Sequence, residues 1–253
     1  MEGPSLVSAL EWHDEVTSTN MLALDAARRG VPEVYAILAD RQTVGRGRRG
    51  RTWEAPRGTS LLLSLVVRPT VRPVDLPLLP LLTGLALLEA VKPSCPGTEV
   101  GLKWPNDLLV ADRKAAGILV EAPVQGAAVI GIGLNVDWRA AERPETLREG
   151  SISLAEALPP GLPAPDRWRI LAALLGVFSN RYQEWQRRPV AFLEGYRQRC
   201  TTLGQQVRIQ RAGTEPLEGK AVGVGEDGAL EVRQDGSAVV RCAAGAVEHL
   251  RLA

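Results

Sequence analysis

The sequence predicts an α+β fold: a mixed sheet with helices packed mainly on one side, followed by a small C-terminal β-barrel. Three observations carry that expectation. Short apolar segments separated by turn residues crowd into positions 100–136, helical stretches lie before and after them, and beyond Leu203 the chain turns to brief strands. The expected division is therefore a larger domain over residues 1–203 and a small β domain over 204–253.

Taken in order, Ser18-Thr19-Asn20 precede MLALDAARR, and Gly30 follows. That pattern is a helix with a polar N-cap, basic residues in its last turn and a glycine stop. Residues 34–39 form a short apolar strand candidate, an Arg/Gly-rich segment follows at 45–51, and the Leu/Val run at 60–67 is a buried strand ended by Pro69. Pro80 opens a second helix through Val91, which Pro93 closes. Strands are expected at 100–104, 108–110, 115–121 and 127–136, with turns at Pro105-Asn106-Asp107, Asp112-Arg113 and Gln125-Gly126. A proline-rich connection at 158–165 leads into a helix from about Asp166, where Leu171, Leu174, Leu175, Phe178, Tyr182 and Trp185 recur at helical spacing. Strands at 207–210, 221–222, 230–233 and 238–240, with turns at 225–228 and 234–236, complete the small barrel.

A net charge of +1 argues against a protein whose main task is coating nucleic acid. The three cysteines (Cys95, Cys200 and Cys242) form no CxxC pair, which suggests reduced thiols and a cytoplasmic setting. With only His13 and His249 available, a histidine-built metal site is not expected. The first residues lack a basic flank followed by an apolar run, so no signal peptide is read there. The most apolar stretch, 74–91, is interrupted by Pro77, Pro80 and Glu89 and is too broken to be read as a membrane span.

Chemistry concentrates in three segments. From Arg41 to Arg57 there are six arginines and one acid, Glu54, around the core GRGRRGRTW. Glycines let a backbone bend or approach a ligand, and guanidinium forks suit carboxylate and phosphate oxygens. The segment therefore reads either as a disordered nucleic-acid tail or as a loop that gathers two anions. Its place between two strands favours the loop. Lys103-Trp104-Pro105-Asn106-Asp107, with Lys114 and Gly117 beyond, reads either as a hairpin with a surface ion pair or as a phosphate lysine beside an aspartate able to hold Mg2+. Gly131-Ile132-Gly133-Leu134-Asn135 places two glycines inside a strand, a sign of close backbone approach, but it is not a dinucleotide fingerprint.

Together, STN, GRGRRGRTW, KWPNDLLV, KAAGILVE and GIGLNV resemble the biotin–protein ligases in order and spacing, over nearly the whole chain. The resemblance implies an ATP-dependent ligase that makes biotinyl-5′-AMP and passes biotin to a lysine of a biotin carboxyl carrier protein domain of a carboxylase. It also implies that the terminal domain is SH3-like. In the biotin site it places Ser18, Thr19, Asn20, Gln42, Gly45, Arg46, Gly47, Arg48, Lys114 and Gly117. ATP falls to Arg48, Arg49, Arg51, Trp53, Lys103, Asn106, Asp107 and Asn135. Arg48, Lys114, Lys103 and Asp107 take the catalytic roles, with Asp107 as ligand to Mg2+. Too few residues precede Ser18 for the helix-turn-helix domain of many relatives, so no DNA partner is expected, and no membrane partner either. Relatives can form dimers through the central sheet, which leaves a homodimer open. Gly245-Ala246-Val247 departs from the Gly-Glu-Val expected of the last strand. The rival readings are a lipoate–protein ligase, a non-catalytic biotin sensor and a nucleic-acid binder. The arginine loop combined with KWPND favours biotin.

Overall fold

The structure is a computed structural model describing residues 6–159, 161–210, 215–234, 236, 239–243 and 245–249. The chain opens with β1 (Ala9–Val16), α1 (Thr19–Arg28), β2 (Tyr35–Gln42), β3 (Ser60–Val67) and α2 (Leu79–Val91). A meander follows: β4 (Val100–Lys103), β5 (Asp107–Val110), β6 (Arg113–Val124) and β7 (Ala127–Asn135). Then come the short α3 (Glu145–Arg148), the long α4 (Arg167–Arg187) and α5 (Leu193–Arg197). The chain closes with β8 (Gln206–Gln210), β9 (Leu217–Val224), β10 (Leu230–Arg233), β11 (Val239–Cys242) and β12 (Ala246–His249).

Seven strands form one sheet in the order β1-β2-β3-β7-β6-β5-β4. β1 runs parallel to β2 and the other neighbours are antiparallel, so the sheet is mixed, as expected. β1 itself has no counterpart in the sequence reading. It is an edge strand whose Leu10 and Trp12 are 49% and 50% exposed, so no buried apolar run announces it.

Side chains alternate across a strand, so the faces of β3, β6 and β7 are sorted by residue type. Leu61, Leu63, Leu65 and Val67 of β3 join Ile118, Ile130 and Ile132 in a core that also takes Leu82, Leu85 and Leu88 of α2 and Leu174 and Phe178 of α4. Each such side chain contributes about 1.5–3 kcal/mol by leaving water. α2 belongs to an apolar stretch, Pro73–Ser94, that is long enough to cross a membrane but is mostly buried within the protein. On the opposite face α1 packs Ala23, Ala26 and Ala27 against Ile37, Val66 and Val129. The two long helices thus share one side, and α1 covers only part of the other.

The second sheet is antiparallel in the order β11-β10-β9-β8-β12, with Val207, Ile209, Leu217, Ala221, Leu230 and Val232 buried inside it. Among the described residues its ladder does not join β11 to β12. Asp235 of the expected turn and Ala238 of the expected strand lie outside the described residues. The small domain is docked firmly: Trp104 Nε1 donates to Gly228 O at 2.9 Å, and Arg197 donates to Val224 O at 2.9 and 2.7 Å. Trp104 of KWPND is therefore a buried anchor between the two sheets.

Candidate active site

The site lies on the sheet face that α1 leaves open. Strand register sets Lys103, Asp107, Gly117, Gly133 and Leu62 in one row across β4, β5, β6, β7 and β3. Two residues along, on the same face, Leu119, Gly131 and Ser64 form the next row. A Cβ on Gly131 would stand 2.5 Å from Asn20 Oδ1, and one on Gly133 would stand 2.4 Å from the Trp53 ring. Glycine at these places lets other side chains lie directly on the strand backbone.

At one end of the face Ser18, Thr19 and Asn20 are buried at the start of α1. The first helical N–H is satisfied from outside the helix. Gln42 Oε1 accepts the Thr19 N–H at 2.8 Å and the Thr19 hydroxyl at 3.1 Å. Ser18 occupies the N-cap position but makes no capping bond, and its hydroxyl, on a residue 0% exposed, has no hydrogen-bond partner among the described residues. A buried hydroxyl without a partner costs free energy, so this one is available to a ligand. Ser64 Oγ lies 2.9 Å from Thr19 Oγ1 and 3.2 Å from Asn20 Oδ1. These groups line a cavity of about 50 Å³ with Gln42, Arg46, Arg48, Lys114 and Gly117.

The Arg/Gly segment is an ordered hairpin. Arg46 bridges Thr52, Trp53 N–H donates to Gly45 O at 2.9 Å, and Gly47 N–H donates to Arg51 O at 2.7 Å. Of its glycines only Gly50 has a positive φ, +73°, and Arg49 shares that region at +59°. Gly45 is needed for close approach instead, since a Cβ there would meet Trp53 O at 2.1 Å. Gly45 therefore shapes the loop and does not line the cavity.

The hairpin carries cations to the far end of the face. Arg48 Nη1 donates to Asn106 Oδ1 at 2.7 Å, and Asn106 Nδ2 donates to Ile118 O at 3.0 Å, which orients the amide. Lys114 Nζ sits 2.8 Å from Asp107 Oδ1 and 5.8 Å from the centre of the Trp53 ring. Burial holds the pKa values of Arg48 and Lys103 below their ordinary range; nearby cations add to this, while Asp107 opposes it. A second cavity, of about 320 Å³, is lined by Arg48, Arg49, Arg51, Lys103, Asn106, Asp107 and Lys114 and reaches Gly245–Glu248 around β12. Buried Asn135 donates to Ile152 O at 3.3 Å and lines a third cavity with Trp53, Trp138 and Ser151.

The cationic hairpin and Lys114, far apart in sequence, thus share a cavity with the buried Ser-Thr-Asn group, and Lys103 lines the neighbouring one. Sequence reasoning assigned no role to Ser64 or Glu121. Ser64 did leave a signal, as the one hydroxyl within the buried stretch LLLSLVV. Glu121 left none. It accepts from Asn20 Nδ2 and from Arg46 Nη2, partners 101 and 75 residues away. Among the described residues no three His, Cys, Asp or Glu side chains cluster to hold a metal.

Fold and site define the class. Residues 14–137 match the Biotin/lipoate A/B protein ligase family and residues 202–250 the Biotin protein ligase C terminal domain. The chain is 37% identical to the Biotin–[acetyl-CoA-carboxylase] ligase of Mycobacterium tuberculosis, over 93% of this chain and 86% of that protein. It is 32% identical to the Bifunctional ligase/repressor BirA of Escherichia coli, over 87% of this chain and 68% of that one. Biotin protein ligase from Aquifex aeolicus, solved in complex with biotin and ATP, superposes with a TM-score of 0.83 at 27% identity, covering 96% of this chain and 100% of that one. The Leishmania major enzyme in complex with biotinyl-5-AMP gives 0.67 at 26% identity, covering 94% and 99%. The chain belongs to the biotin protein ligase family.

Proposed function

We propose that this protein activates biotin with ATP, releases pyrophosphate to form biotinyl-5′-AMP, and transfers biotin to a lysine of a carboxylase carrier domain. The observation that carries the reading is the continuity of the site. A buried polar end suited to an uncharged ring lines one cavity with Arg46, Arg48 and Lys114, and Arg48 and Lys114 also line the neighbouring cavity with Arg49, Arg51 and Lys103.

In the first step a biotin carboxylate oxygen bonds to the α-phosphorus and the bond to pyrophosphate breaks. Two anions must approach, so the dominant need is electrostatic and no protein nucleophile is required. Without ligand Arg48 rests on Asn106 and Lys114 on Asp107. Both cations would exchange these partners for carboxylate and phosphoryl oxygens, where charge builds in the transition state. Lys103, Arg49 and Arg51 would hold the nucleotide, with Asn135 and Trp53 on the adenylate side. In the second step the carrier lysine attacks the mixed anhydride carbonyl and AMP leaves, and Asp107 would accept a proton from the incoming ammonium.

Mg2+ belongs to the same proposal. The phosphate-side cavity offers Asp107, and Glu248 at its rim, as its carboxylates, a donor set that suits an ion held mainly by nucleotide oxygens and water. Such an ion would supply charge neutralisation to the phosphates. The reading extends to residues 1–203 as the biotin- and ATP-binding domain and 204–253 as the small β domain. It also extends to a cytoplasmic setting, for which the buried Cys95 and Cys200, not joined in a disulfide, speak, with neither DNA nor a membrane as partner. Sedimentation would decide between monomer and homodimer. The test of function is mass spectrometry of a carrier domain incubated with the protein, ATP, Mg2+ and biotin. A gain of one biotinyl group is expected, abolished by a carrier Lys→Arg substitution. An unmodified carrier refutes the reading.

A further inference from the structure

We infer that Glu121, at the outer part of β6, is a positioning residue that fixes which end of the Asn20 amide faces the biotin ring. The inference rests on the proposed function and deepens it. A carboxylate only accepts hydrogen bonds, whereas a primary amide has a donating and an accepting end of nearly equal shape. Glu121 Oε2 takes its bond from Asn20, so the NH2 group must point to Glu121. The Asn20 Oδ1 is thereby turned onto the sheet, 2.5 Å from where a Gly131 Cβ would stand and 3.2 Å from Ser64 Oγ. A carbonyl oxygen has two lone pairs, and the Ser64 hydroxyl can engage one. The other is left as an acceptor in a cavity that Asn20, Ser64 and Gly131 line together.

A cyclic urea presents two N–H donors and one carbonyl acceptor. An Asn20 amide turned the other way would set its own donors against those N–H groups, leaving buried groups unpaired. Glu121 thus converts an ambiguous amide into a fixed acceptor, and the unpartnered Ser18 hydroxyl is free to serve the urea carbonyl. The second carboxylate oxygen accepts from Arg46 Nη2 at 3.0 Å, so the same group ties the pocket floor to the arginine hairpin. Only a carboxylate serves both donors at once. Glutamine at this position retains one acceptor and adds a donor.

The test is a thermodynamic cycle on biotin affinity with Glu121→Ala, Asn20→Ala and the double variant, each measured by calorimetry. Both single substitutions are expected to weaken biotin roughly ten- to a hundredfold. The double variant should be little weaker than Asn20→Ala, because Glu121 acts through Asn20. KM for ATP at saturating biotin should change by less than about twofold, the size of an effect outside the residue's reach. Glu121→Gln should fall between parent and Glu121→Ala and replaces it in the cycle if the alanine variant is unfolded. Fully additive losses, an unchanged biotin affinity in Glu121→Ala, or an equal rise in KM for ATP each overturn the assignment. A parent protein that binds no biotin instead refutes the functional reading itself.

Discussion

The two faces of β3, β6 and β7 are built from the same strands to opposite ends. Towards α2 and α4 the positions are filled with Leu, Ile, Val and Ala, and the side chains are almost wholly buried. On the other face Gly117, Gly131, Gly133 and Ser64 replace such residues, and Asn20 and Trp53 rest against strand backbone. Filling stabilises; leaving unfilled creates a place for a ligand. One face should therefore govern unfolding and the other chemistry, and substitutions can separate the two.

On the open face Arg48→Ala or Lys114→Ala should slow pyrophosphate release by about 10²–10³, or ~3–4 kcal/mol of transition-state stabilisation. Urea unfolding of either variant should move by less than about 0.5 kcal/mol, as usual for a partly exposed side chain. On the packed face the pattern should reverse. Leu65→Ala, at a fully buried site, is expected to lose about 2–5 kcal/mol of stability while activity per folded molecule is kept. Equal effects of both kinds of variant on both readouts would break the comparison.

Gly133→Ala sharpens it, because the substitution adds volume on the open face. Its Cβ would stand 2.4 Å from the Trp53 ring, so the ring must move. Overpacking of this kind costs about 1–3 kcal/mol. The expected signs are altered tryptophan fluorescence and a raised KM for ATP; an unperturbed ring signal would show that Trp53 does not rest there.

The smallest effect concerns the seam between the two sheets. Thr202 Oγ1 accepts the Trp104 N–H at 3.0 Å and lies 3.1 Å from His249 Nε2. Burial, with Lys103 acting the same way, pulls the His249 pKa to about 4. An unfolded chain binds that proton near pH 6.5. Between pH 6.5 and 4 the unfolded state holds more protons, so stability falls as pH falls through this window. His249→Gln should flatten that part of the stability–pH curve, and an unchanged slope would remove His249 as its source.

Much of this was legible in the sequence for a physical reason. β3 and β10 were read with the bounds they have, because β3 is a buried apolar run ended by proline and β10 alternates apolar and charged residues between turns. The helix from Asp166 was read from the helical spacing of Leu171, Leu174, Phe178, Tyr182 and Trp185, and its start is fixed locally, where Asp166 accepts from Trp168 N–H at 2.8 Å. What escaped depends on partners distant in sequence. β1 is strand only because β2 pairs with it, and its own pattern is mixed and exposed. The capping of α1 passes to Gln42, which no local rule anticipates. Likewise the hairpin glycines were read as bends or points of approach to a ligand, yet Gly45 serves a contact with Trp53 that only the folded loop creates.

The central claim is that the open face joins biotin to ATP through Arg48 and Lys114. Exchange of labelled pyrophosphate into ATP measures that step alone, without a carrier. The account predicts exchange that requires biotin, is not supported by lipoate, and nearly vanishes in Arg48→Ala and Lys114→Ala. Exchange driven equally by lipoate, or undiminished in both variants, would contradict it.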